Sequence, residues 1–401
     1  MLYVQTRCGF RGVVTIVSIL NEHFQLDLKT PCFNSIENWV KKSGFSIYKE
    51  PDYKEPEDKI KKKEYAVIVD ESMMIGSQKI LMTLGVNAKH KGKPVTHGDV
   101  EVLGMNVRSS WSGEAICSEL KDISEKVGHK PLYAITDNDR TMSKGVNDFN
   151  LLHIRDISHT LGMIMKRIYD KDEAFKSYMK ELSQVKFKEV MNAVAYLLPP
   201  KQRTIARFLN LSQVIDWSNK MLKNYHNFTE EERKTFSFIP LYASFIEELR
   251  KVLSCVNSIE HEIKHKGLSH KSLMNCMNYV KENLFTGNER MIKVAEQIIQ
   301  YLREEIKKSP SPNTCWNASS DVLESMFGVL KDRKSPNPLN GVTPFIFLLP
   351  LYTHVSNKKK RMRLDFKQRL ESVLMSDIED WKKQNLFENQ VSKRIKKLNA
   401  A

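Results

Sequence analysis

Three carboxylates stand where a divalent-metal site could be assembled. The run YAVIVD (65–70) is short, apolar and β-branched and ends in Asp70; PLYAITD (131–137) repeats the pattern and ends in Asp137. Glu324 lies in ASSDVLESMFGVLKDRK, a helical period with Asp321 one turn earlier and Ser319 or Ser320 as its cap. Mg²⁺ is a hard ion that takes oxygen ligands, and a two-metal site needs them delivered from separate chain segments to one point. Two neighbouring strand ends and one helix face can do that. Taken singly, each acid has a plainer reading. A strand-terminal Asp usually makes a turn or cap, and a helical Glu is usually solvated. Asp139 rivals Asp137, which is preferred because it directly follows the apolar strand.

The elements that must position these acids follow from periodicity. Residues 10–24 have helical apolar spacing at Val13, Ile16, Ile19 and Leu20. After a short connector, NSIENWVKKSGF turns Ile36, Trp39 and Val40 inward, with Gly44 as a stop signal. These two helices fit a candidate helix-turn-helix at 1–48, with Lys41 and Lys42 as DNA contacts, or a helical hairpin that packs on the main domain. Residues 49–64 are charged and proline-containing, which is linker composition. Strands are expected at 65–70, 79–86, 101–109 and 131–137, with an amphipathic helix over 112–128 between Ser112 as cap and Gly128 as stop. A short strand, LLHIRD, closes the series. Three strands, a helix and a further strand describe the first part of an RNase H-like mixed α/β sheet. From 169 to 308 the strand signals vanish and long helical periods take over, while the tail from 357 to 401 is basic and helical.

Composition narrows the class. The 401 residues hold 63 Lys plus Arg against 48 Asp plus Glu, a net charge of +15 that favours a polyanionic partner, nucleic acid first. A hydrophobic fraction of 41% supplies a core and excludes wholesale disorder. No apolar run approaches the roughly 20 residues of a membrane span, and the first residues lack the pattern of a secretory signal. The six cysteines have no C-x-x-C pair and read as reduced thiols. A second metal reading gathers Cys255, His261, His265, His270 and Cys276 around zinc; the polar run that holds them reads equally as a solvated helix and loop.

Four stretches carry a resemblance. VIVDES, ITDNDRTMSKGV, DISHTLGMIMKR and SSDVLESMFGVLKDR together resemble DDE transposases of the RNase H-like superfamily that carry an α-helical insertion, of insertion-sequence or hAT-like type. The similarity covers about residues 65–170 and 315–350. In the third stretch Asp156 stands where the hAT group has Cys, and His159 is retained. The Tyr and Arg that some bacterial families place before the Glu are absent; Asn317 and Ser320 stand there. The resemblance implies a catalytic domain split into 65–168 and 309–356 by an insertion at 169–308. It implies Asp70, Asp137 and Glu324 as ligands of two Mg²⁺ (or Mn²⁺) ions, cutting and joining DNA without a protein nucleophile. Lys331, seven residues after Glu324, would contact DNA, and Trp217 and Trp316 are candidates to stack on a displaced base, although a core role is the commoner fate of Trp. Asp156 and His159 either bind a ligand or brace the insertion. A homo-oligomer on DNA is implied, in the cytoplasm or nucleoid of a prokaryote or the nucleus of a eukaryote. The alternatives are a catalytically inactive, transposase-derived DNA-binding protein and an RNase H-like nuclease.

Overall fold

The structure, a computed structural model, describes residues 1–50, 64–75, 78–89, 92–201, 208, 211–334, 337, 339 and 341–399. The linker expected at 49–64 therefore lies almost wholly outside the described residues. The chain divides into two compact units: 1–90, 94–154 and 319–401 form the first, and 91–93 with 155–318 form the second. Among the described residues no helix is long and apolar enough to cross a membrane.

The first unit opens with helices α1 (Leu2–Gln5), α2 (Phe10–Phe24) and α3 (Phe33–Lys49). Strands β1 (Tyr65–Ile75), β2 (Gln78–Asn87) and β3 (Val100–Arg108) form an antiparallel meander. Helix α4 (Gly113–Val127) then leads to β4 (Tyr133–Thr136), which pairs parallel to β1. Helix α5 (Arg140–Asp148) and β5 (Leu152–Arg155) complete a mixed five-stranded sheet in the order β3-β2-β1-β4-β5. The expected cap and stop of α4 are in place. Ser112 accepts the Ala115 N–H, and Gly128 ends the helix with φ +86°, a left-handed value that glycine tolerates best.

Side chains alternate along β1, so Tyr65, Val67 and Val69 share one face. That face joins Leu120 and Ile123 of α4 and Met142 and Val146 of α5 in one buried cluster. Glu119 of α4 is buried beside it and accepts a hydrogen bond from Asn106 of β3. Burial pushes its carboxyl above the ordinary value, against the pull of that bond. A raised carboxyl pKa means that the folded chain keeps a proton the unfolded chain has released. Stability therefore falls as pH climbs from the unfolded value through the folded one, and the cost persists at neutral pH. Glu119→Gln is expected to stabilise the protein at pH 7 by on the order of 1 kcal/mol, with the gain vanishing below about pH 4, where both side chains are neutral. Urea midpoints at the two pH values check this; a loss at pH 7 would overturn it.

The second unit is helical. It comprises α6 (Ile157–Tyr169), α7 (Glu173–Glu189), α8 (Leu211–Asn224), α9 (Glu230–Thr235), α10 (Ala243–Lys266), α11 (His270–Leu284) and α12 (Glu289–Lys307). Two very short strands, β6 (Leu268–Ser269) and β7 (Cys315–Trp316), pair antiparallel, a feature with no counterpart in the expected all-helical block. A polar network ties three segments of this unit. Arg290 is bonded to both Glu248 oxygens at 2.8 and 2.6 Å and to Asp172 at 2.9 Å, and the Tyr169 hydroxyl donates to Glu248.

The chain then returns to the first unit through α13 (Asp321–Arg333), α14 (Leu348–Ser356), α15 (Lys358–Arg363), α16 (Phe366–Glu371), α17 (Met375–Asn385) and α18 (Gln390–Asn399). Helix α13 packs on β1, α14 packs on β3, and α14, α16 and α17 pack around α3. That packing corrects three expectations. Gly44 does not stop its helix, which runs on to Lys49; a Cβ there would sit 1.8 Å from the Phe347 carbonyl oxygen, so the glycine permits close helix approach. Trp39 is 45% exposed, not inward, and Ile19 and Leu20 of α2 are exposed as well. Residues 43–47 of α3 are all buried. Helix α3 thus buries its C-terminal half within the first unit, while Trp39 in its N-terminal half stays exposed.

Candidate active site

The parallel register of β1 and β4 sets the geometry. Val67 lies opposite Ala134 and Ile68 opposite Ile135. Carried two residues on, past the end of β4 at Thr136, the same offset runs from Asp70, within β1, to Asp137, the residue after β4. Val67 belongs to the cluster under α4 and α5, so by alternation Asp70, three residues on in β1, points to the opposite face. Both aspartates are half-buried. Asp70 Oδ1 accepts the Glu71 N–H at 2.7 Å, and Asp137 Oδ1 accepts the Asp139 N–H at 3.1 Å.

Asp139, the rival, has a different task. Its Oδ1 accepts the Thr141 N–H at 2.7 Å and caps α5, and the residue is exposed. Beside Asp137, the buried Thr136 hydroxyl donates to the Asp137 carbonyl at 2.8 Å and lies 2.8 Å from His153 Nε2 on β5. A hydroxyl has one hydrogen to give, so His153 Nε2 must be the donor in the second bond. Sequence reasoning missed this brace. The alternation of β5 was its signal, since His153 shares a face with Arg155 while the buried Ile154 faces the other way.

Glu324 sits in the first turn of α13 and is exposed. None of the buried residues of α13 joins the cluster under α4 and α5, and α13 packs on β1. Ser319 Oγ accepts the Asp321 N–H at 3.3 Å at the start of the helix. Ser325, next to Glu324, shares a hydrogen bond with His97 Nε2 at 3.1 Å, and burial lowers the pKa of that imidazole. The three acids thus belong to one unit, with Asp70 within β1, Asp137 just after its parallel neighbour β4, and Glu324 on a helix that packs on β1. They do not form a ready-made triad: among the described residues no three His, Cys, Asp or Glu side chains stand close enough to share a metal ion.

The remaining candidates are placed as follows. Lys331 is exposed, its Nζ 6.0 Å from the centre of the Phe327 ring. Lys41 is half-buried and paired with Glu37 at 2.5 Å, and Lys42 is half-buried too. In the second unit Trp316 is buried at 9% exposure and offers no open face to a base. Trp217 is half-buried, donates its indole N–H to the Leu197 carbonyl at 3.0 Å and meets Phe236 edge-on. Asp156 is wholly buried as the N-cap of α6, where it accepts the His159 backbone N–H at 2.7 Å. The D-x-x-H stretch is therefore a helix cap built on the His159 backbone.

Among the described residues no three of Cys255, His261, His265, His270 and Cys276, the residues of the zinc reading, stand close enough to share a metal ion; Cys255 and Cys276 are buried. No protein-family model matches the chain, and no curated protein matches it either.

Proposed function

We propose that the chain is a DDE-type DNA transposase with an RNase H-like catalytic domain, interrupted in sequence by a helical insertion. The observation that supports this reading is the parallel pairing of the adjacent strands β1 and β4, with Asp70 within the first and Asp137 directly after the second. The strand order β3-β2-β1-β4-β5 and the position of the second unit between residues 154 and 319 support it. The donor set is all oxygen and suits Mg²⁺ or Mn²⁺. Asp70 and Asp137 would hold the ions from the sheet and Glu324 from α13. Bound divalent ions supply Lewis acidity to the scissile phosphate and activate water or a DNA 3′-hydroxyl. Asp139 stays committed to its helix, Thr136 and His153 fix the backbone carrying Asp137, and Lys331 faces phosphate. The net charge of +15 supplies the long-range attraction for DNA, and two DNA ends call for at least two copies of the chain on DNA.

A second reading is a DNA-binding protein descended from such an enzyme and no longer catalytic. It is favoured by the absence, among the described residues, of a gathered three-ligand cluster. One experiment separates the two: nicking of supercoiled plasmid with and without Mg²⁺, alongside DNA binding at increasing salt. Mg²⁺-dependent nicking lost in Glu324→Gln supports the enzyme. Salt-sensitive binding with no nicking supports the second reading, and the absence of both overturns the DNA assignment altogether.

A further inference from the structure

One group of side chains is not used by the acidic site. On α10, His261, Glu262 and His265 spell H-E-x-x-H, the spacing by which a helix presents two imidazoles on one face to a metal ion. The two rings are neighbours on the helix and stack, with centroids 3.9 Å apart and planes inclined by 23°; a turn of the exposed His261 ring about its side-chain torsions is what would aim both lone pairs at one ion. His261 is exposed and His265 partly so. His265 Nδ1 is 2.9 Å from the His261 carbonyl oxygen. A carbonyl oxygen can only accept, so Nδ1 carries the hydrogen and Nε2, on the far side of the ring, keeps its lone pair. A backbone carbonyl holding one ring nitrogen is the usual way a metal-binding imidazole is oriented. His261 also lines a groove of about 500 Å³ with Ser212, Asp216 and Asn257, which leaves room for an ion and its water.

We propose that His261 and His265 form a two-imidazole chelate for a divalent transition-metal ion of the zinc and copper class. It is a binding site and not a hydrolytic centre. Glu262, which would have to act as general base, is engaged elsewhere: Lys266 Nζ lies 2.7 Å from its Oε2 and Asn275 Nδ2 donates to its Oε1 at 3.2 Å. Cys255 and Cys276 are buried. The remaining coordination positions go to water.

The test is calorimetric titration of the untagged full-length chain with ZnCl₂ and then CuCl₂. The wild type should bind both, copper the tighter by the general affinity order of divalent ions. His261→Ala and His265→Ala should each weaken Zn²⁺ binding by about ten-fold or more, and the double variant should lose one ion per chain. Zn²⁺ should raise the melting temperature of the wild type but not of the double variant. Absence of Zn²⁺ binding to the wild type, or equal stoichiometry and affinity in the double variant, overturns the proposal. The wild-type titration decides the first of these even where a variant fails to fold.

Discussion

Asp137→Asn is expected, on the transposase function proposed above, to lower Mg²⁺-dependent DNA cleavage by about a thousand-fold or more while leaving the fold intact. The substitution keeps the shape of the side chain and removes its charge. The contribution of a metal ligand to stabilising the transition state is several kcal/mol, and each 1.4 kcal/mol or so is a factor of ten in rate. Asp70→Asn should behave alike, because Asp70 lies within β1 and Asp137 directly after its parallel neighbour β4. The sharper control is two residues away. Asp139 caps α5 through its Oδ1, and Asn is as good a cap as Asp. Asp139→Asn should therefore leave both cleavage and stability near wild type. Plasmid nicking measured on the three variants side by side decides the matter. Cleavage that survives Asp137→Asn and dies in Asp139→Asn would reverse the assignment of the second ligand.

Gly44→Ala is expected to destabilise the first unit by about 3 kcal/mol or more, an overpacking cost at the upper end of the usual range. Helix propensity alone predicts the opposite sign, a gain of about 1 kcal/mol for alanine in the middle of a helix. The contact decides between them. The added carbon would stand 1.8 Å from the Phe347 oxygen and 2.6 Å from its carbonyl carbon. Those are backbone atoms, so no rotamer change can relieve them. Phe347 itself is fully buried and packs edge-on against Phe45 and Trp381, which holds it in place. Urea unfolding of the variant checks the prediction, and a midpoint at or above wild type would refute it.

The contrast between these two sites shows what the sequence could convey. Strands β1 and β4 were legible from their short β-branched runs, but β1 continues past Asp70 to Ile75 because it pairs with β2 along its whole length. Helix α4 was legible because Ser112 and Gly128 mark its ends with local chemistry. Gly44 was misread since a stop and a close approach both call for glycine, and only the partner at Phe347, three hundred residues later, tells them apart. Trp39 was turned inward for a related reason. Apolar spacing finds a helix, but which stripe is covered depends on α14, α16 and α17, far along the chain. The two-residue strands β6 and β7 are too short to leave a pattern. At the candidate site, the adjacency of the two strands that lead to Asp70 and Asp137 was expected and is observed. The reach of Glu324 depends on how α13 lies across β1, which no local spacing encodes.

The division of the first unit has a consequence for biosynthesis. All five strands of the mixed sheet have been synthesised once residue 155 is made, yet α13 and α14, which pack on β1 and β3, follow only after residue 318. At ordinary elongation rates, the intervening stretch takes roughly 10–30 s to synthesise. For that interval the nascent sheet has an apolar face lacking its two late-arriving helices. Such a surface is what chaperones capture and what promotes aggregation when they are scarce. Yield of folded protein should therefore depend on chaperone supply during translation more strongly than the equilibrium stability of the finished chain would suggest.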